Sequence, residues 1–375
     1  MHRFLWVSFF GCLLFGLSGC GSGERSDLAG WTINEGGLEL EQTLRQSETD
    51  EVYFGELHDI AVGPDNRMYV ADGERGTVWV LRPDGSLVTM IGKRGDGPGE
   101  FRRGPTQVTL ARDSLYVFDA YTRSFSVFGP DRAFARRVSL PSEDGRPAQL
   151  FVSEDPSGFA VAYVGWSSTD GPGRTVVARL TPTGTVSDTL LATPPRPLYV
   201  ESMGERLREY PIPFRPSVTY AMGPNGRIHY AWGDSLTVTA HPFDGRRPER
   251  LQVPFEPVPV TEEDRTRELE PIRKGGRVSP SVISERIPDT KPAVRHLLVD
   301  DAERVWFGRP TAHPDSMDWW VAHPDEKQVV TTTLPVPTAP GGILPLAIHD
   351  NRLYARLTTE TGAPTLVRYR VRRSK

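Results

Sequence analysis

Residues with the types and spacing that catalysis requires are sparse in this chain. Neither a Gly-x-Ser-x-Gly nor a His-Glu-x-x-His motif occurs, so the usual serine-hydrolase and zinc-protease signatures are absent. Gly95-Asp-Gly-Pro-Gly99 is rich in glycine but lacks the Gly-Lys-Ser/Thr ending of a phosphate loop, and we interpret it as a tight turn. The histidines beyond residue 20 are scattered, at positions 58, 229, 241, 296, 313, 323 and 349.

Two further motifs bear on chemistry. His313-Pro-Asp315 and His323-Pro-Asp325 are near-copies that resemble an acid–base pair. The second copy falls where other parts of the chain carry Pro-Asp-Gly or Pro-Thr-Gly turns, which favours a turn. Trp319 and Trp320 are adjacent on a predicted strand, so one should enter the core while the other could stack on a sugar or an aromatic ligand.

The N-terminus resembles a bacterial lipoprotein signal. A short basic start precedes an apolar stretch that is too short to span a bilayer as a helix, and Leu17-Ser-Gly-Cys20 resembles the lipoprotein cleavage box. We therefore predict a signal peptide over residues 1–19, lipidation at Cys20 and a flexible tether over residues 20–30. Several acyl chains on Cys20 would hold the protein stably on a membrane.

The remaining N-terminal residues refine this prediction. Gly21 is not aspartate, which by the lipoprotein sorting rule directs the product to the outer membrane, on its periplasmic or its surface side. Cys12 would be lost with the signal peptide, which leaves no thiol for a disulfide or a thiolate metal site. The 44 basic and 48 acidic residues are nearly balanced and give no argument for a nucleic-acid partner.

A short phrase recurs along the chain and predicts its architecture. It is a polar turn, then alternating apolar residues, then often an acid, as in residues 63–72 and 111–119. Weaker copies begin at residues 154, 223, 300 and 349, and several spacings match the roughly 40–50-residue period of a propeller blade. Six such units of four antiparallel strands predict an all-β, six-bladed propeller over residues 31–375. The alternating segment 38–44 should supply the strand that the last unit lacks and so close the ring.

The first two units resemble a known family. Gly92-Lys-Arg-Gly-Asp-Gly-Pro-Gly-Glu-Phe-Arg102, Pro105 and the Leu-Tyr-Val-Phe-Asp phrase that ends at Asp119 are similar to the NHL-type six-bladed propellers, in particular their bacterial lipoprotein branch. Ile287-Pro-Asp-Thr-Lys-Pro-Ala293 also resembles that branch. The resemblance implies the propeller fold but assigns no reaction.

Two insertions separate the later blades. Residues 192–216 are rich in proline and basic residues, with a short helix predicted over residues 201–209. Residues 254–293 contain a predicted helix over residues 262–270, capped by Thr261 and ended by Gly275-Gly276. Connections between blades cross one face of a propeller near its channel, and binding residues are often carried on such loops.

The absence of a catalytic set favours a binding protein. We predict a non-enzymatic platform in the cell envelope that needs no cofactor and binds a protein, a small molecule or a glycan. The predicted binding residues flank the starts of inner strands, where side chains reach the channel mouth: Glu100, Arg102, Arg215, Tyr220, Arg295 and His296.

The alternative hypothesis is a metal-dependent propeller hydrolase or lyase, with lactonase-like or amidating-lyase-like chemistry. Such enzymes would hold a divalent ion on the channel axis, where it polarises a carbonyl and activates water. The candidate ligands are His58, Asp59 and His296, each near the start of an inner strand. The discriminating observation is whether three or more such groups converge.

Overall fold

The computed structural model describes most of the chain. The described residues are 24–28, 30–46, 51–141, 145–155, 158–165, 174–195, 197–203, 206–276, 278–338 and 340–374. The predicted signal peptide, Cys20 and its cleavage site lie outside them. None of the helices in these ranges is long and apolar enough to span a membrane.

The chain folds as an all-β, six-bladed propeller, as the repeated phrase predicts. Three strands precede the first blade: β1 (Glu24–Leu28), β2 (Trp31–Asn34) and β3 (Leu38–Arg45). Blade 1 contains β4 (Leu57–Val62), β5 (Met68–Asp72), β6 (Thr77–Leu81) and β7 (Leu87–Ile91). Blade 2 contains β8 (Gln107–Ala111), β9 (Ser114–Asp119), β10 (Ser124–Phe128) and β11 (Phe134–Ser139). Blade 3 contains β12 (Arg146–Val152), β13 (Phe159–Val164), β14 (Arg174–Leu180) and β15 (Val186–Pro195).

The second half of the ring follows the same plan around two insertions. The first insertion forms a hairpin of β16 (Leu198–Met203) and β17 (Arg206–Pro211). Blade 4 contains β18 (Val218–Met222), β19 (Arg227–Trp232), β20 (Thr237–Pro242) and β21 (Glu249–Gln252). The second insertion contains α1 (Glu262–Gly275) and α2 (Pro280–Ser284). Blade 5 contains β22 (His296–Val299), β23 (Val305–Pro310), β24 (Ser316–His323) and β25 (Gln328–Pro335), and blade 6 contains β26 (Ile343–His349), β27 (Arg352–Thr358) and β28 (Pro364–Arg373).

The N-terminal strand β3 closes the ring, which confirms the prediction for residues 38–44. It pairs antiparallel with β28, with Leu38 opposite Arg373 and Arg45 opposite Val367, and becomes the outer strand of blade 6. Pairing satisfies the backbone groups that the outer edge of β28 would otherwise expose. The strand β2 adds in parallel to the outer strand of blade 5, and β1 pairs with β2. The strand β1, Glu24–Leu28, lies inside the segment 20–30 that is predicted as a tether.

The acid that ends the phrase organises the turn after the second strand. Asp72 is fully buried and accepts hydrogen bonds from the backbone amides of Gly55, Glu56 and Arg75, at 2.9–3.1 Å, and from the indole of Trp79 at 3.2 Å. A buried carboxylate is tolerated where it accepts several hydrogen bonds. The recurring acid is therefore structural in blade 1, where it ties the incoming connection to the middle hairpin.

The two insertions pack against each other. Phe214 of the first insertion is buried against Leu269, Ile283 and Ile287 of the second, in a small apolar cluster separate from the interfaces between blades. A short helix is predicted over residues 201–209, but residues 201–203 and 206–209 instead pair with one another and with their neighbours across the strands β16 and β17. The predicted helix over residues 262–270 is confirmed, and it continues to Gly275 before Gly276 ends it in a left-handed conformation.

Candidate functional site

The insertion face of the propeller carries a pocket at the mouth of the channel. We use the term insertion face for the side on which the outer strand of each blade connects to the inner strand of the next. Because antiparallel strands alternate in direction, the loop between the second and third strands of each blade lies on this same side. The pocket has a volume of about 550 Å³, which is in the range of small-molecule binding sites. Its walls come from both insertions, blade 5 and blade 6.

Basic residues dominate the charged part of this channel-mouth pocket. Arg267, Lys291, Arg295 and Arg356 line it, against two acids, Glu268 and Asp315. The rest of the wall is largely apolar and is formed by Phe214, Pro310, Pro314, Met317, Val336, Pro337 and Leu344. The pocket therefore offers positive charge beside a surface that can cover an apolar body.

Two of the four cations share one buried acid as their partner. Asp264 accepts hydrogen bonds from Lys291 Nζ at 2.9 Å and from Arg267 at 2.7 Å, and both Lys291 and Asp264 are almost fully buried. Burial alone would raise the pKa of Asp264, but these bonds and those from Thr261 outweigh it and hold the pKa well below its usual range. Asp264 also completes the capping box of α1 with Thr261, so the same carboxylate fixes the helix and the pocket floor.

Arg295 differs from these two cations because no acid pairs with it. Within the described part of the chain its guanidinium makes no hydrogen bond or ion pair, and it lies over the ring of Phe214, 5.6 Å from the centroid. The side chain is accessible to solvent, and partial desolvation by the surrounding protein lowers the pKa of its guanidinium. Its hydrogen-bond donors are free to bind a ligand.

Arg356 supplies a second guanidinium, and both Arg295 and Arg356 lie near the imidazole of His296. It donates to the backbone carbonyl of Leu57 at 3.2 Å and lines the pocket with its remaining donors. His296, the first residue of β22, has its pKa lowered to about 4, first by burial and then by the positive charges of Arg295 and Arg356. The imidazole is therefore neutral near pH 7, and both guanidiniums lie close enough to it to repel a proton.

The channel itself begins beneath His296. Its cavity of about 470 Å³ is lined by the inner strands and includes His58, Asp59 and Gln107. Asp59 accepts a hydrogen bond from the amide of Val108 at 3.0 Å, and burial raises its pKa to about 7. The strands β8 and β12 are joined by Gln107, which exchanges two hydrogen bonds with the backbone of Leu150 at 2.8 and 2.9 Å.

The predicted metal ligands share this cavity but do not form a cluster. His58, Asp59 and His296 all line it, as their places at inner-strand starts imply. In the ranges that the structure describes, no group of three or more His, Cys, Asp or Glu side chains is arranged to hold a metal ion. His58 instead lies 3.3 Å from Glu56, and His296 stacks on Trp319 with ring centroids 6.0 Å apart. The metal-dependent hypothesis stays a prediction.

Glu100 and Arg102 lie at a different pocket on the same face. This pocket has a volume of about 440 Å³ and lies between the connection from blade 1 and the middle hairpin of blade 2. Glu100 accepts a hydrogen bond from the amide of Gly97 at 2.9 Å and pairs with Lys93 at 3.2 Å, while Arg102 pairs with Asp96. The glycine-rich segment is thus a turn held by its own side chains, in agreement with its predicted structure.

The remaining predicted binding residues have structural surroundings. Arg215 is exposed and donates to the backbone carbonyl of Arg286 at 3.0 Å, so it links the first insertion to the second. The ring of Tyr220 packs against Phe151 and Tyr230, with centroid distances of 5.8 and 6.5 Å, at the interface between blades 3 and 4. Of the six predicted residues, the structure brings Arg295 and His296 together at the channel mouth.

The two doubled motifs also have clear places. His323 ends β24 and the following residues form a turn, as predicted. His313 lies in the loop that borders the channel-mouth pocket. Trp319 is buried, whereas Trp320 is only partly buried and is covered by the guanidinium of Arg309 at 4.0 Å from the ring centroid. The ring face that could have stacked on a ligand is therefore occupied.

Arg356 was missed by the sequence analysis, although the repeat contains a signal for it. Tyr69, Tyr116 and Tyr354 hold the same place in the phrase, and the residue two positions later is Ala71 in blade 1 and Phe118 in blade 2. In blade 6 that place is taken by Arg356. A charged residue at a position that is otherwise apolar and buried marks a functional candidate.

Comparisons with known proteins agree with the fold. Residues 47–141 match a family model described as 6-bladed beta-propeller. A protein from Bacteroides fragilis, provisionally described as exported, has a TM-score of 0.54 and 13% identity, with 90% of this chain and 96% of that one covered. A member of the duf4221 family from Bacteroides vulgatus has a TM-score of 0.53 and 10% identity, with 90% and 99% covered. At these identities the likeness shows the fold alone.

Other comparisons add no functional argument. Virginiamycin B lyase from Staphylococcus aureus is more distant, with a TM-score of 0.43 and 11% identity over 89% of this chain and 99% of that one. No curated protein sequence matches this chain. A function for this chain must therefore be inferred from the geometry of the channel-mouth pocket.

Proposed function

We propose that this chain is a lipid-anchored envelope protein that captures an organic anion at the mouth of its channel. In this proposal it is a binding platform and not an enzyme, and it needs no cofactor. Anchoring at Cys20, with the outer membrane as its destination, is part of the same proposal and is supported by the lipoprotein-like N-terminus.

The observation that carries the proposal is the unpaired guanidinium of Arg295. Its neighbours Lys291 and Arg267 each pair with Asp264, whereas Arg295 forms no ion pair within the described residues. A cation that is partly desolvated and unpaired gains most from an anion that brings a hydrogen-bonding carboxylate or phosphate. Arg356, which also acts electrostatically on His296 and lines the same pocket, supplies a second donor group.

The apolar wall indicates what the rest of the ligand is. Phe214, Met317 and Leu344 face the same cavity as the two guanidiniums, and the volume of about 550 Å³ is that of a small-molecule site. An inorganic anion would leave this wall in contact with water. The pocket therefore suits an amphiphilic anion, with a carboxylate or phosphate head and an apolar body.

A thermal-shift experiment tests the proposal on the soluble form, residues 21–375. The probes are octanoate, phenylacetate and phenyl phosphate, each compared with an uncharged analogue such as octanamide or phenylacetamide. A ligand that binds only the folded state raises the melting temperature. We expect at least one anion to do so, and its uncharged analogue to have little effect.

Matched variants locate the binding. Arg295→Gln and Arg356→Gln each remove a positive charge from the pocket. Arg246→Gln removes a positive charge from an exposed hairpin of blade 4, where Arg246 pairs with Asp244. The anion should stabilise the Arg246→Gln variant as it does the wild type and should lose its effect on the two pocket variants. Stabilisation that survives in the pocket variants, or no stabilisation by any anion, would overturn the proposal.

A further inference from the structure

The pocket between the blade 1–blade 2 connection and the middle hairpin of blade 2 can be explained by comparing the sequences of the two blades. In both blades the second strand ends in an aspartate, Asp72 or Asp119, and four residues then lead to the third strand. The strand pairing is also the same, since Asp72 lies opposite Thr77 and Asp119 lies opposite Ser124. The two blades can therefore be compared position by position.

One position separates a filled cleft from an open one. Trp79 is the third residue of β6, and the corresponding third residue of β10 is Ser126. In blade 1 the indole of Trp79 donates to Asp72 Oδ2 at 3.2 Å and packs edge-on against Phe54. In blade 2 the serine leaves that space empty, and the pocket of about 440 Å³ occupies it.

The aspartate of blade 2 consequently keeps hydrogen-bonding capacity. Asp119 is 3% exposed, and its Oδ1 accepts from the amides of Tyr121 and Thr122 at 3.1 Å. Its Oδ2 has only a long contact of 3.4 Å with the amide of Arg103 and lacks the indole donor that its counterpart has. A buried carboxylate oxygen that faces a cavity is a strong acceptor for a ligand hydroxyl.

The pocket wall is polar and electrically balanced. Three acids and three arginines line it: Asp96, Glu100, Asp119, Arg102, Arg103 and Arg137. Several of these charges already neutralise one another, as Arg102 does with Asp96, and Arg137 donates to the backbone carbonyls of Gly97 and Glu100. A ligand with a net charge gains little from such a wall, whereas a neutral ligand with many hydroxyl groups finds both donors and acceptors.

Hydroxyl groups and an exposed ring complete the site. Ser124, Ser126 and Ser139 line the pocket, and the register places Ser124 opposite Ser139 and Ser126 opposite Arg137 on one face of the blade. The ring of Tyr121 is 63% exposed at the rim. An aromatic face beside polar groups offers apolar contact to the C–H face of a sugar ring, while the polar groups bind its hydroxyls.

We propose that the cleft between blades 1 and 2 is a binding site for a neutral carbohydrate. Asp119 accepts hydrogen bonds from the sugar hydroxyls, and the serine hydroxyls can both accept and donate them. Arg103 and Arg137 donate to the sugar, and the ring of Tyr121 covers one of its faces. This site is separate from the channel mouth, and it contains none of the residues that line the other pocket.

The test uses a variant that copies blade 1 into blade 2. Ser126→Trp should fold, because the same chain already accommodates an indole at this position in blade 1, and its melting temperature checks this. Tyr121→Ala removes the exposed ring, and Tyr53→Ala removes an exposed tyrosine outside the pocket, stacked on Arg75, as a control. Binding is measured by saturation-transfer NMR and calorimetry. The probes are glucose, galactose, mannose, N-acetylglucosamine, maltose and lactose.

The proposal predicts a specific pattern. At least one sugar should bind the wild type, Tyr53→Ala and Arg295→Gln alike, should bind Tyr121→Ala about fivefold or more weakly, and should not bind folded Ser126→Trp. Retention of binding in Arg295→Gln separates this site from the anion site. Binding that persists in Ser126→Trp, or no binding by any of these sugars, would overturn the carbohydrate site and leave the channel-mouth proposal unaffected.

Discussion

At the scale of single residues, the channel mouth depends on how charge is shared among its cations. Asp264 accepts hydrogen bonds from both Lys291 and Arg267, so its one negative charge is shared between two cations. Arg295 and Arg356 line the same pocket, and both lie near the neutral imidazole of His296. The channel-mouth pocket has a positive potential because more cations than acids line it. The cations without an acidic partner remain available to a ligand.

The pKa of His296 reports on the two guanidiniums. Replacing Arg295 by Gln removes one of the charges that disfavour the imidazolium, so the pKa of His296 should rise from about 4. It should remain below its ordinary value of 6.5, because burial is the larger cause and persists in the variant. NMR titration of the histidine ring protons measures the shift, with Arg246→Gln as the variant that should leave it unchanged. An unchanged value in Arg295→Gln would place the guanidinium away from the imidazole.

Asp59 predicts how stability depends on pH. The carboxyl has a pKa of 3.8 in the unfolded chain and about 7 in the folded one, so between these values the folded state holds a proton that the unfolded state has lost. The contribution of Asp59 to stability is therefore complete below about pH 4 and disappears as the pH rises through about 7. Asp59→Asn keeps an acceptor for Val108 but cannot titrate.

Urea unfolding of the wild type and of Asp59→Asn measures this contribution. The free energy of unfolding of the wild type, relative to the variant, should fall by up to a few kcal/mol between about pH 4 and about pH 8. Asp188→Asn, which changes an exposed aspartate on an outer strand, should run parallel to the wild type. A difference between wild type and Asp59→Asn that stays constant with pH would show that Asp59 is ionised in the folded state throughout.

At the scale of elements, the ring is closed by a strand from the other end of the chain. A chain that begins at residue 37 loses β1 and β2 but keeps β3, whereas a chain that begins at residue 47 also loses β3. The first should unfold in one cooperative transition, and the second should melt at a lower temperature with a broader transition, because β28 becomes an exposed edge. Calorimetry distinguishes the two, and equal melting profiles would contradict closure by β3.

The elements that the sequence predicted are those with strong local signals. The alternating strands, the glycine-rich turn and the capped helix α1 follow from patterns within about ten residues, and all three are present. The sequence predicts a short helix over residues 201–209, a segment that contains charged residues such as Glu201 and Arg208. In the fold, cross-strand pairing such as Tyr199 opposite Tyr210 decides the structure instead.

The candidate site was less accessible from sequence than the fold. Arg295 and His296 could be predicted because they precede and begin an inner strand. Arg356 and Ser126 required a position-by-position comparison of blades, and the neutralisation of Lys291 by Asp264 joins residues that are 27 positions apart. Contacts between residues so far apart in the sequence depend on how the insertions fold over the ring, and a local sequence pattern does not predict this.

At the scale of the whole molecule, the predicted lipid anchor at Cys20 would decide on which membrane the insertion face is displayed. Cys20→Ser should release the protein from the membrane fraction of cells that express the full chain, because the acceptor of the acyl chains is gone. Cys12→Ser is the matched control, since this cysteine lies within the predicted signal peptide and should not affect anchoring. Cell fractionation and immunoblotting measure both. Membrane association that survives Cys20→Ser would show that the anchor is not at this residue.

The blades also show how one scaffold can carry two different sites. Repetition of the blade fixes the backbone, so a single change such as tryptophan to serine opens a cleft without altering the ring. The channel mouth, in contrast, is built by insertions that exist between only some of the blades. The two pockets therefore have different structural origins on the same face of the propeller.

The most direct test of the account is calorimetric titration of octanoate, phenylacetate and phenyl phosphate into the wild type and the Arg295→Gln/Arg356→Gln double variant. Loss of hydrogen bonds to charged groups costs about 1.5–3 kcal/mol each, so the account predicts saturable binding of at least one anion that weakens at least about tenfold in the double variant. Binding of equal strength in both proteins, or no binding to the wild type, would contradict the assignment of the channel mouth as an anion site.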